Sequence, residues 1–125
     1  MIKTKYGRTI AAFTHYKWSS DNKNQNYGTF VDDVEKKAFI LLLDRKEKVV
    51  PLNGNHLIYC SRTVGPTFGE GDLEICHECN VRKKSSTNFP SRYNSEGQYK
   101  YTKGQKSIEA LSGAPAGDTF LVVEY

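Results

Sequence analysis

Cysteine is scarce in this chain of 125 residues: there are three, an odd number, beside one Trp and one Met. Three thiols cannot build the dense disulfide frame of a small secreted scaffold, so a reduced, cytoplasmic protein is expected. No apolar N-terminal stretch of the signal-peptide kind is present, and no apolar run is long enough to cross a bilayer as a helix. Nor does any long segment carry a helical period, which excludes a coiled coil and argues against a helical bundle. Charge of one sign does not dominate: 18 Lys and Arg stand against 14 Asp and Glu, a formal net charge of +4. That balance favours solubility more than a nucleic-acid partner, and no nucleic-acid-binding motif accompanies it. The length fits a single domain over residues 1–125.

Aromatic and β-branched residues are what the chain does have. Eight Tyr and six Phe lie among short apolar runs that Gly, Asn, Asp and Ser interrupt. Ile2 to Lys5 and Arg8 to Thr14 predict a hairpin around Gly7, and "SSDNKNQNYGT" after Trp18 predicts a solvated loop. Ala38 to Leu43 reads as a central strand, with "DRKEK" turning the chain into Val49 and Val50. His56 to Ser61 predicts another strand, and Leu73 and Ile75 alternate with Glu74 and Cys76 as a half-buried strand does. The tract from Asn80 to Lys106 has little apolar periodicity and predicts a long loop pinned by Phe89, Tyr93, Tyr99 and Tyr101. Ile108 to Leu111 suits a strand or one helical turn. Phe120 to Tyr125 predicts a closing strand, with Phe120 and Val122 facing away from Leu121 and Val123. Many short strands with Gly- and Asn-rich turns give a mainly β fold class: a two-sheet antiparallel β-sandwich with short peripheral helices or turns. Phe13, Trp18, Phe39, Phe68 and Phe120 are its expected interior aromatics.

The segments "TKYGRTIAAFTHYKW", "KKAFILLLD", "GPTFGEGDLEICHECN", "SSTNFPSRY" and "TFLVVEY" follow one another in an order that resembles the TLDc domain family of oxidation-resistance proteins and their relatives. Phe68, Gly69, Gly71, Leu73 and Ile75 carry the most specific part, an aromatic and glycine cluster leading into an alternating strand. The resemblance implies a β-sandwich and a non-enzymatic protein-interaction module linked to oxidative-stress protection, with a subunit of the vacuolar proton-pumping ATPase as a possible partner. It implies no catalytic residues, no cofactor and no metal. It also implies a partial domain, without the family's N-terminal helical portion and its last few residues, and self-association of such a fragment is an expected consequence.

The compact reactive group is "CHEC", Cys76, His77, Glu78 and Cys79. The pair of thiols offers half of a tetrahedral zinc site, with His77 as a third ligand only where the backbone bends, or a redox dithiol. His56 and Cys60 would share a strand face about 13 Å apart, too far to chelate together. A strand end followed by a turn is the favoured reading, and a zinc-binding or redox-active domain is the alternative. Gly65, Gly69 and Gly71 lack the spacing of a phosphate loop and suit a tight reversal instead. Charged loops on a rigid sandwich are the common seat of recognition, which makes Glu70, Asp72, Arg82, Lys83 and Lys84 the candidate protein-binding residues. Basic residues continue through Arg92, Lys100, Lys103 and Lys106.

Overall fold

A computed structural model describes residues 1–18, 28–61 and 63–124. The chain forms two antiparallel sheets that pack face to face, with one short helix beside them. The first sheet holds β1 (Ile2–Thr4), β2 (Thr9–Phe13), β4 (Phe39–Leu42), β5 (Glu47–Pro51), β10 (Tyr93–Ser95) and β12 (Val122–Glu124), in the order β10-β5-β4-β2-β1-β12. The second holds β3 (Thr29–Val31), β6 (Ile58–Cys60), β7 (Thr67–Phe68), β8 (Leu73–Glu74), β9 (Ser85–Ser86) and β11 (Thr119–Phe120), in the order β11-β9-β8-β7-β6-β3. The expected sandwich is therefore the observed architecture. The helix is α1 (Gln105–Ser112).

Alternation along the strands builds the core. Ile10, Ile40, Leu42, Val49 and Val122 face inward from the first sheet and meet Ile58, Cys60, Phe68, Leu73 and Phe120 from the second. The opening hairpin forms as expected, with Gly7 at φ 84° closing the turn between β1 and β2. Ala38 to Leu43 supplies β4, which lies inside the first sheet between β2 and β5.

Several local expectations are corrected. Phe13 pairs with Phe39 across β2 and β4, one residue out of phase with Ala12 and Ile40, so both rings lie on the outer face. They stack there at 5.3 Å, and Phe13 is 47% exposed. Trp18 is 40% exposed and meets the Phe68 ring edge-on at 5.4 Å. The tract from Asn80 to Lys106 contributes β9 and β10, and Phe89 and Tyr93 within it are fully buried. Tyr99, expected to pin that tract, is 85% exposed. Ile108 to Leu111 lies in a helix of eight residues, closed by Gly113 in the left-handed region with its N–H donating to the Glu109 carbonyl. The closing segment is divided between sheets: β11 pairs with β9, and β12 pairs with β1. The loop expected after Trp18 falls largely on residues 19–27, outside the described residues. Among the described residues no helix is long and apolar enough to cross a membrane.

Candidate functional site

Strand β8 carries the charged cluster at one end and the cysteines at the other. At the first end, Gly69 and Gly71 adopt φ of 67° and 87°, turning the chain so that Asp72 points inward. A Cβ on Gly69 would stand 2.0 Å from the Asp72 carboxylate, so the turn and the carboxylate are fitted to one another. Asp72 is fully buried. It accepts hydrogen bonds from the backbone N–H groups of Ser91 (2.7 Å), Arg92 (2.8 Å) and Tyr93 (3.2 Å). Burial pushes its carboxyl above the ordinary range while those donors pull the other way, and burial prevails. Asp72 is thus removed from the candidate binding surface: it is enclosed in the interior, where it ties down residues 87 and 91–93.

Glu70, two residues earlier, is half-exposed and does the opposite. Arg92 Nη2 donates to it at 2.7 Å and His56 Nδ1 lies 2.8 Å from the same oxygen. The Arg92 and His56 contacts hold the Glu70 carboxyl down to about 2. His56 precedes β6 with φ 52° and stacks on Phe30, so it does not share a strand face with the buried Cys60. Sequence reasoning missed both pairings, which join residues fourteen and twenty-two positions apart.

At the other end of β8, strand pairing stops at Glu74, earlier than the alternation predicts, and the cysteines enter a turn. Glu78 takes φ 53°, and its carbonyl accepts from the N–H groups of Val81 and Arg82. The Cys79 carbonyl accepts from the Val122 N–H at 3.1 Å, tying this turn to β12. Cys76 Sγ accepts from Ser85 Oγ at 3.5 Å. Burial, followed by the neighbouring Cys76, pushes the Cys79 thiol up. Among the described residues no group of three or more His, Cys, Asp or Glu could hold a metal ion.

The turn forms one lip of an apolar cleft of about 740 Å³ lined by β1 and β2 of the first sheet and β7 and β8 of the second. Ile10, Phe68, Leu73 and Ile75 form its floor, and Met1 and Trp18 stand exposed at its mouth. Of the basic triplet, Arg82 pairs with the cleft residue Glu78 at 2.8 Å, Lys83 lies over the Tyr6 ring, and Lys84 is exposed. Arg82 therefore reaches the cleft through Glu78, while Lys83 and Lys84 lie outside its lining and Glu70 lies at the far end of β8. The cleft itself escaped sequence reasoning because Trp18 and Phe13 were assigned to a closed core. Lys100 and Lys106 belong to a separate surface with Arg8 and Arg45. The chain matches no protein-family model, no curated protein and no solved structure.

Proposed function

We propose that this chain is a non-enzymatic protein-interaction module of the TLDc type, which takes an apolar segment of its partner into the cleft between the sheets. The observation that carries the reading is the cleft itself: an apolar hollow with Met1 77% and Trp18 40% exposed at its mouth. Large apolar side chains exposed together around a concavity mark interaction sites. The Glu78–Arg82 ion pair at the cleft, followed in the chain by the exposed Lys83 and Lys84, gives such a surface polar groups that orient a partner and exclude wrong ones. Through the resemblance, the partner is a subunit of the vacuolar proton-pumping ATPase, and the setting is cytoplasmic protection against oxidative stress.

Direct binding to purified subunits of that ATPase, measured by calorimetry, tests the reading. Trp18→Ala should weaken association about tenfold, as loss of an aromatic anchor does. Charge reversal of Arg82, Lys83 and Lys84 should slow association, and more so at low salt. Binding that survives Trp18→Ala unchanged removes the cleft from the interface, and absence of binding to every subunit removes the proposed partner.

A further inference from the structure

Apart from the apolar cleft, four cations from four separate segments meet around one hollow. Arg8 follows the β1–β2 turn, Arg45 ends the 3-10 turn after β4, Lys100 follows β10, and Lys106 lies in the first turn of α1. The hollow measures about 480 Å³, and none of the residues around it lines the apolar cleft. That volume falls within the range of roughly 300–1,000 Å³ typical of small-molecule sites.

The backbone beneath these side chains is tied down. Thr4 N–H donates to the Arg8 carbonyl at 2.8 Å, Arg8 N–H donates to Thr4 Oγ1 at 3.2 Å, and Thr4 Oγ1 donates to the Ser112 carbonyl at the end of α1. Asn94 clamps Tyr101 through the Tyr101 N–H and carbonyl at 2.8 and 3.1 Å. The cations are less well satisfied than the frame that carries them. Among the described residues, Arg8 Nε is buried without a hydrogen-bond partner. Lys100 donates to the Ser95 carbonyl, and Arg45 Nε lies 3.4 Å from Glu47, whose carboxylate also accepts from Tyr101 Oη. Glu109 is the opposing charge on the wall of the hollow. A buried guanidinium N–H without an acceptor is costly, and a fork of Arg donors backed by Lys suits a dianionic oxyanion better than a single carboxylate.

We propose that Arg8, Arg45, Lys100 and Lys106 form a binding site for a soluble phosphorylated small molecule, with its phosphate or pyrophosphate group seated against Arg8. The phosphate oxygens accept from the terminal N–H groups of the half-buried Arg8 guanidinium, and the volume of the hollow leaves room for the rest of a small ligand. Glu109 limits affinity for the anion.

Calorimetric titration of the protein with pyrophosphate at low ionic strength tests this. Saturable binding with one site per chain is expected, and it should weaken as salt rises. Arg8→Gln should weaken binding about tenfold through loss of a charge-assisted donor. Lys106→Gln should weaken it about threefold, and Glu109→Gln should strengthen it by a similar factor, since each alters one charge at the rim. Lys84→Gln, in the other basic cluster, should leave it unchanged. Arg8 is half-buried; where circular dichroism reports an unfolded Arg8→Gln protein, the exposed pair Lys106 and Glu109 decides alone. No saturable binding of pyrophosphate, or equal affinity in the Lys106→Gln, Glu109→Gln and Lys84→Gln proteins, overturns the proposal.

Discussion

The two ends of β8 differ in what holds them. At the Asp72 end a carboxylate is enclosed by the backbone it organises: three N–H groups converge on it, and Thr87 Oγ1 donates to its carbonyl at 2.7 Å. At the Cys76 end the turn is exposed, lies against an apolar cleft, and is held by a few backbone bonds and a weak contact to sulfur. The residue types invite the reverse assignment, since Asp reads as surface charge and clustered Cys and His read as chemistry. What separates the ends is whether each polar atom has its partners enclosed with it. A buried carboxylate with matched donors fixes structure, and a pair of thiols beside an open cleft leaves the surface free for contact.

The largest test of that contrast is Asp72→Ala. Removing the carboxylate leaves three backbone donors without their acceptor in a buried site. At roughly 1–3 kcal/mol for each unsatisfied group, and with partial relaxation, the loss should be about 4 kcal/mol. That is a large share of the roughly 5–15 kcal/mol that holds a small domain folded. Chemical denaturation should move accordingly, and hydrogen exchange at Ser91, Arg92 and Tyr93 should accelerate more than exchange in β2 or β4. Asp72→Asn, which keeps one acceptor oxygen, should recover part of the loss. A change below about 1 kcal/mol for Asp72→Ala would place the order of this segment elsewhere, in the burial of Phe89 and Tyr93 alone.

The same carboxylate explains how far the fold was legible in the sequence. The β1–β2 hairpin and β4 were legible because Ile10, Ile40 and Leu42 alternate with outward residues and Gly7 marks the turn. The sandwich class follows from many such short runs. Tyr93 and Phe89 were not legible as core, because the bonds that bring their segment inward reach from Asp72 across about twenty residues, beyond any local periodicity. The helix α1 was half-legible: eight residues beginning at Gln105 offer barely two turns, and the N-cap Gly104 has no side-chain oxygen. Phe13 and Trp18 were placed wrongly because an aromatic side chain states its area but not its face. Only the register of Phe13 with Phe39 reveals which side of the sheet it occupies. At the site, the basic triplet and "CHEC" were legible as a charged and a reactive group, while the cleft that "CHEC" lines required both sheets.

A smaller effect should separate Glu70 from Asp72 by pH. Glu70 has an ordinary pKa of 4.5 and is held down to about 2 in the folded protein by Arg92 first and His56 next. A depressed folded pKa means that the unfolded chain takes up the proton first. The stabilisation from Glu70 is therefore present above about pH 4.5 and is lost progressively as pH falls toward 2. Asp72 has the opposite sign: its carboxyl is raised by burial, so the folded protein accepts that proton more readily than the unfolded chain. Glu70→Gln should lower Tm slightly at neutral pH, as befits an ion pair near the surface, and should flatten the acid limb between pH 4.5 and 2. An acid limb as steep in Glu70→Gln as in the parent protein would assign the acid sensitivity to other carboxylates.

The smallest effect belongs to the cysteines. Replacing Cys76 and Cys79 together by Ser should change stability by less than about 1 kcal/mol, because neither side chain is fully enclosed. The bond from Val122 to the Cys79 carbonyl is made by the backbone and survives the change, and Ser at position 76 can still accept from Ser85. The thiols should also differ in reactivity. Burial and the neighbouring Cys76 keep Cys79 protonated to higher pH, so its alkylation near neutrality should be slower than that of an unhindered thiol. Cys60, only 7% exposed in the core, should react last and only as the domain opens. Elemental analysis of the purified protein should find no stoichiometric zinc, and none should be lost on replacement. Zinc at one equivalent that disappears in the double Ser protein, with a fall in Tm, would make the exposed end of β8 a structural centre and erase its contrast with Asp72.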